Sequence, residues 1–343
     1  MSNSSENKVP NSPSKKLSSA SKKFFILLNI CFFLLIVGIG ASVLFGFTYL
    51  KTPGPLTEDK VLVVETGTSA RAIAEHLAEN NIIKYPEIFI GLVMVSDYRK
   101  NMKAGEYFFP RGVTPLQVFR KISSGVVLIH RVTVAEGLMT SQILNGIKED
   151  KYMTGDVPKN IGEGELLPET YAYYYGDSRE KVINRMKTAM QQTIDELWEK
   201  RAENLPFKDK KEALTLASIV EKETRLTSER SRVAAVFINR LRKNMRLQTD
   251  PTVIYAITQG LYVRAEPLTG KDLAVESAYN TYKNFGLPPG PIANPGRASI
   301  EAVLHPSETG EYYFVADGTG GHKFASTLEE HNKNVKQWRE LSK

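Results

Sequence analysis

The feature that most restricts this chain is the stretch from Phe24 to Leu50, FFILLNICFFLLIVGIGASVLFGFTYL, which carries no charge and one strongly polar residue, Asn29. About 20 apolar residues in a helix cross a hydrocarbon core of roughly 30 Å. Backbone N–H and C=O groups find no water there, so a lone spanning segment has to be helical. A buried core helix is one competing reading, but the uncharged length and the Lys51-Thr52-Pro53-Gly54-Pro55 that follows argue against it. A cleaved signal peptide is the other. Its apolar core runs to about 7–15 residues and ends in a small-x-small pattern. This run is longer and closes on Phe47-Thr48-Tyr49. The expectation is one uncleaved transmembrane helix over residues 24–50.

The flanks set the orientation. Lys15, Lys16, Lys22 and Lys23 precede the run, whereas Lys51 alone follows closely, with Glu58 and Asp59 soon after. The positive-inside rule then keeps the N-terminus in the cytoplasm and exports the rest. This predicts a single-pass protein of the inner membrane with a periplasmic domain. Residues 1–23, rich in Ser, Asn, Lys and Pro, are predicted to be disordered. They hold five lysines and one glutamate, so +4 of the chain's +7 lies there and only +3 beyond. A mildly basic exported part argues against a nucleic-acid partner, which demands concentrated positive charge. The sole cysteine, Cys31, is inside the apolar run, which leaves the exported part without disulfides or a thiol nucleophile. The roughly 290 residues after Leu50 suffice for a real core and two domains.

After the Pro/Gly linker, Val61–Val64 reads as a short buried strand, and residues 68–79 as a helix capped by Ser69. A second, apolar helix is expected over Glu87–Tyr98, and a strand over Gly105–Phe109, ended by Pro110. Thr114-Pro115 opens a further helix that stops at Gly125. This strand–helix–helix–strand order over residues 51–125 is that of a LysM-like module, which binds glycans containing N-acetylglucosamine; a plain spacer fits the same order. Residues 126–343 read as a second, mixed domain. Val126–Val134 is β-rich, and Glu136–Gln142 opens a helix. An aromatic cluster spans Tyr171–Tyr175, and Ser178 caps a long amphipathic helix to about Glu203. Helices follow over Asp209–Arg225 and from a Ser228 cap to about Lys243. Asn244–His331 is rich in Gly, Pro and aromatics, with short strands such as Tyr312–Ala316. The predicted class is α+β: one transmembrane helix, a small LysM-like α/β module, and a mixed α+β catalytic domain.

The segment most informative about chemistry is Glu212–Thr224, EALTLASIVEKET. Its apolar residues fall on nearly every side of a helix, the mark of burial. Glu221 and Glu223 stand at its C-terminal end, where the helix dipole and burial both disfavour an anion. A carboxyl held protonated near neutral pH is what a general acid requires. The two glutamates flank the apolar centre about equally, and periodicity does not choose between them. The alternative is that both mark the helix end and pair with Lys222, Arg225 or Arg230.

Residues 216–224, LASIVEKET, resemble the signature of the YceG-like family of membrane-bound endolytic murein transglycosylases. The resemblance continues through Val236–Leu241 and Met245–Tyr255, then Ala278–Tyr282, Gly286–Gly296 and Tyr313–Gly318. It covers everything after the N-terminal tail. It implies lytic cleavage of the β-1,4 bond between N-acetylmuramic acid and N-acetylglucosamine inside glycan strands, giving 1,6-anhydro ends and terminating or trimming nascent strands. By string position it puts the catalytic glutamate at Glu221. Glu223 is a substrate-binding candidate that either orients Glu221 or lies on the surface. No cofactor is implied; the partners implied are peptidoglycan strands and neighbouring glycan polymerases.

Gln248, Asp250, Tyr279, Asn280 and Tyr282 are candidate sugar contacts, since amide and aromatic side chains suit a polar substrate with apolar ring faces. Loop architecture is the alternative for each: Asp250-Pro251 also reads as a turn or cap, and Asn280 as a turn closure. Glu163 and Glu169 are read first as scaffolding of a rigid loop and second as cleft lining. The five histidines, at 76, 130, 305, 322 and 331, show no zinc-ligand spacing. No Gly-x-Ser-x-Gly elbow marks a serine hydrolase. A non-catalytic, membrane-tethered peptidoglycan-binding scaffold is the rival from another class.

Overall fold

The apolar run lies in a single helix, α1 (Ser19–Lys51), in a computed structural model that describes residues 19–96 and 102–341. Its large side chains from Phe24 to Phe47 are about half exposed or more. A continuous uncovered apolar surface of that length fits a lipid-facing helix. Residues 19–23, read as tail, already belong to the helix, because nothing in Ser-Ala-Ser-Lys-Lys breaks it; residues 1–18 lie outside the described residues.

The chain divides into two units, up to Val127 and from Leu128. In the first, the Pro/Gly stretch after α1 is fastened rather than free. Gly54 N donates to Val113 O at 3.1 Å, and Leu56 is buried in the unit's core. The order is β1 (Lys60–Val64), α2 (Ala70–Glu79), α3 (Pro86–Val95), β2 (Gly105–Phe109) and α4 (Pro115–Ser124). β1 and β2 pair antiparallel, with Leu62 opposite Tyr107 and Val64 opposite Gly105. Alternation sends Leu62, Val64, Tyr107 and Phe109 to one buried face, leaving Val61 and Phe108 on the other. A two-stranded ribbon is marginal alone; Leu77, Phe89, Val118 and Ile122 from the helices complete its core. Ser69 caps α2, and Thr114 with Gln117 forms a capping box on α4, which ends at Gly125 with φ 64°. The second helix stops at Val95, with Ser96 extended; Asp97 and Tyr98 of its expected range lie outside the described residues.

In the second unit the β-rich run shrinks to β3 (His130–Thr133), since its antiparallel partner β4 (Thr170–Tyr173) is only four residues long. Around this ribbon lie α5 (Thr140–Glu149), α6 (Arg179–Glu199), α7 (Lys210–Glu223) and α8 (Thr227–Arg242). α8 begins one residue before the expected cap Ser228, and Thr224 Oγ1 accepts from Leu226 N at 3.1 Å just ahead of it. The Gly/Pro-rich remainder holds more helix than its composition indicates: α9 (Asp250–Thr258), a 3₁₀ turn (Asp272–Ala274) and α10 (Arg297–Leu304). Beyond them come the β5 (Tyr313–Ala316) and β6 (His322–Ala325) ribbon and α11 (Leu328–Leu341).

The core of this unit is built on α7. Leu216, Ala217, Ile219 and Val220 are fully buried, against Val233 and Phe237 of α8 and Ile300 and Val303 of α10. Ser218 is buried too; its hydroxyl donates to Thr215 O at 2.7 Å and accepts from Ile292 N at 3.0 Å. That bond pins the Pro-rich loop before α10 to the helix that carries both glutamates.

Candidate active site

α7 ends on Glu221-Lys222-Glu223, and two residues of helix turn a side chain by about 200°. The glutamates therefore leave in opposite directions. Glu221 goes inward, its side chain 4% exposed. Its Oε1 accepts from Arg230 Nη2 at 3.1 Å and its Oε2 from Gly296 N at 3.0 Å. The same Arg230 nitrogen reaches Glu136 Oε2 at 2.9 Å, and the Arg230 side chain is itself 7% exposed. The pairing with Arg230 is thus real for Glu221. Around it three loops are stitched together by Asn294, whose amide donates to Leu138 O (3.1 Å) and Thr140 Oγ1 (2.9 Å) and accepts from Leu166 N (3.0 Å). Glu163 joins this network by accepting from Thr140 N and Oγ1. Burial pushes its carboxyl above the usual range, partly offset by those bonds. Glu163 is thus tied into the loop network, and Glu169 is exposed.

Glu223 leaves on the other side, onto a groove of about 640 Å³. Gln248 and Asp250 line it from the segment that opens α9, and Tyr282 from the following loop. Tyr313, Phe314 and Val315 of β5 form another wall, and His331, Val335, Trp338 and Arg339 of α11 a third. Glu223 Oε1 accepts from Thr249 Oγ1. Burial raises this carboxyl above its ordinary range, the Thr249 bond pulls it back, and the nearby Asp250 charge raises it further. Asp250 Oδ1 accepts from Tyr282 Oη at 2.6 Å; burial and that bond raise the phenol's pKa. Arg240 ties the walls together, its guanidinium donating to Tyr312 O at 2.6 Å and Leu247 O at 2.8 Å. Gln248 sits at φ 48°, a left-handed backbone that non-glycine residues seldom adopt. Such strain collects where side-chain placement matters.

Of the residues singled out by sequence, Glu223, Gln248, Asp250 and Tyr282 are brought together on this groove. Asn280 is not on it. It is fully buried, donating to Leu273 O and Val275 O and accepting from Tyr282 N, so it closes the loop that presents Tyr282. Tyr279 packs against Tyr255, ring centroids 4.8 Å apart, in the unit's core and near Glu163. Sequence reasoning missed Arg240, Tyr313, His331 and Trp338. Arg240 and Tyr313 stand in the strings Val236–Leu241 and Tyr313–Gly318 that carry the family resemblance, which was a signal for those two; no local pattern marks His331 or Trp338. No cluster of potential metal ligands occurs among the described residues.

An acidic group opens here on a groove lined by aromatic side chains and the Gln248 amide, groups suited to a sugar substrate. The YceG-like family model matches residues 62–337, and the chain belongs to that family. It is 35% identical to the endolytic murein transglycosylase of Bacillus subtilis, over 86% of this chain and 89% of that protein. To the enzyme of the same name from Streptococcus pneumoniae D39 it is 26% identical, over 89% of this chain and 64% of that longer protein. A crystal structure of a YceG-like protein from Listeria monocytogenes is 35% identical, covering 81% of this chain and 99% of that one, with a TM-score of 0.49.

Proposed function

We propose that this chain is an endolytic murein transglycosylase, a lytic enzyme that cuts peptidoglycan strands between N-acetylmuramic acid and N-acetylglucosamine. The single observation that carries the mechanism is the position of the Glu223 carboxyl, at the end of an apolar helix and opening on the groove, where burial raises its pKa. Glu223 donates its proton to the glycosidic oxygen as the C1–O bond breaks. The muramoyl residue's own 6-hydroxyl oxygen closes on C1, and its proton passes to the Glu223 carboxylate. The product end is a 1,6-anhydro sugar, and the enzyme's proton count is unchanged. No water is activated, so one carboxyl serves where a hydrolase uses two.

String position assigns this role to Glu221. Supporting Glu223 instead is the partnering: both Glu221 oxygens already accept hydrogen bonds, from Arg230 and Gly296. In our reading Glu221 fixes the end of α7 and Glu223 transfers the proton. Gln248, Asp250 and Tyr282 bind sugar, while Asn280 and Tyr279 support the loop. The βααβ order and antiparallel β1–β2 pairing support a LysM-like, glycan-binding first unit. α1 serves as a single-pass anchor with the lysine-flanked end in the cytoplasm, which confines cleavage to wall beside the membrane and to strands still near their polymerases.

The test is mass spectrometry of purified murein after incubation with the enzyme. Anhydro-ended fragments that vanish in Glu223→Gln support the proposal. Reducing-end products indicate hydrolysis, with Asp250 as the obvious second carboxylate. Unaltered murein with retained binding leaves the non-catalytic scaffold.

A further inference from the structure

The first unit has an apolar surface that neither its core nor the glycan chemistry accounts for. α3, PEIFIGLVMV, is apolar on all sides apart from Glu87 in its first turn. Phe89 and Val93 face the core, yet Met94 is 64% exposed and Val95 86%. At helical spacing Ile88, Gly91, Met94 and Val95 share the outward side, with Glu87 at its edge. Such a stripe needs a second covering.

The attachment of α3 to α1 says what the covering is. Tyr49, in the last turn of α1, accepts through its hydroxyl from Lys84 N at 2.8 Å and Tyr85 N at 3.2 Å. Tyr85, the residue before α3, packs edge-on against Phe45 and Tyr49, with centroids 5.8 and 5.0 Å apart. A crevice between the two helices is lined by Ala41, Ser42 and Phe45 on one side and by Glu87 and Ile88 on the other. The start of α3 is therefore level with residues 41–46, some 7–15 Å back from the end of α1 at about 1.5 Å per residue. The 29 residues of Lys23–Lys51 span about 44 Å, against a hydrocarbon core of roughly 30 Å. With the surplus on the exported side, residues 41–46 fall at the boundary between acyl chains and headgroups. The aromatics Phe45, Phe47, Tyr49 and Tyr85 and the lysines 51 and 84, which lie over the Phe47 and Tyr85 rings, form the belt expected at that level.

We infer that α3 is a membrane-surface helix whose outward stripe, Ile88, Met94 and Val95, is embedded in the lipid interface of the leaflet from which α1 emerges. A protein partner would have to occupy the headgroup layer to cover the same face. The inference rests on α1 spanning the bilayer and is independent of the cleavage chemistry. It gives the first unit two points of hold on the membrane, so the unit lies against the surface rather than swinging on a tether.

The experiment uses the full chain in a Cys31→Ser background, with single cysteines at Met94, Val95 or Glu75, the last on the exposed side of α2. Each is labelled with a polarity-sensitive fluorophore and reconstituted in phosphatidylethanolamine–phosphatidylglycerol vesicles, with or without brominated acyl chains. Bromolipid is expected to quench the 94 and 95 labels at least about twofold more than the 75 label, and aqueous iodide to do the reverse. Iodide quenching at 95 equal to that at 75 overturns the inference. So does shielding from both quenchers, which means protein covers the face. In the parent chain labelled at Cys31, failure of bromolipid to quench overturns the spanning reading and this inference with it, a result distinguishable from failure at 94 and 95 alone.

Discussion

The two sides of the last turn of α7 make an instructive pair. On one, Glu221 meets Arg230, the Gly296 amide and, through Arg230, Glu136; each partner comes from a different element, and the Glu221 and Arg230 side chains are buried. On the other, Glu223 has a single hydroxyl partner, Thr249, and an open groove. The residue type and the helix are shared. What differs is the supply of N–H donors. Burial with few donors raises a carboxyl's pKa, as at Glu223, and that direction is the one the proposed proton transfer needs.

The largest effect that can break this comparison is on turnover. Glu223→Gln keeps size and removes the transferable proton, so the rate of anhydro-end formation is expected to fall by about 10²–10⁴, the usual worth of a general acid. The fold should persist, as checked by an unchanged circular dichroism spectrum. If Glu221→Gln abolishes cleavage at unaltered Tm while Glu223→Gln retains it, the two roles are exchanged.

Next comes stability. Glu221→Ala leaves the buried Arg230 guanidinium to Glu136 alone and the Gly296 amide without its acceptor, and breaking a buried pair from one side costs up to about 3–5 kcal/mol. Urea unfolding should show that loss, and the double variant Glu221→Ala/Arg230→Met should recover part of it. A loss under about 1 kcal/mol would place the pair among exposed ion pairs and undo its role as a fastener.

A smaller effect separates the two sides by pH. The Glu223 carboxyl is raised in the folded state by burial. Between its unfolded value, near 4.5, and its higher folded value, the native state binds more protons than the unfolded one, so stability falls as pH rises. Removing the ionisable group with Glu223→Gln should therefore raise Tm at neutral pH, and the gain should vanish below about pH 4.5. A gain that persists in acid has another cause.

Much of this contrast was hidden from sequence for identifiable reasons. The apolar run, the caps at Ser69, Thr114 and Ser178, and the all-round burial of α7 are local patterns, and the structure has them in place. The opposite exits of the glutamates follow from two residues of helix. Which exit opens on a groove does not, because the groove is assembled from residues near 240, 248, 282, 313 and 338. Arg230 reaches Glu136 across 94 positions. α10, only eight residues long and set between Pro295 and Pro306, is lost in a Gly/Pro background, and the left-handed backbone of Gln248 has no compositional mark at all.

The smallest effect tests the reach of the open side. Trp338 and Tyr313 stand on different elements, α11 and β5, yet line the same groove as Glu223. Flat aromatic faces match the apolar faces of sugar rings, and contacts between rings are worth roughly 0.5–1.5 kcal/mol. Trp338→Ala removes one such face on a different element from the Glu223 carboxyl, so its loss is expected to be uniform between bound substrate and transition state. KM for a soluble glycan oligomer is expected to rise about 2- to 10-fold while kcat stays within about twofold. A fall in kcat at constant KM would instead mean that α11 helps hold Glu223 in place, and the groove would then end nearer to Tyr282 than its volume indicates.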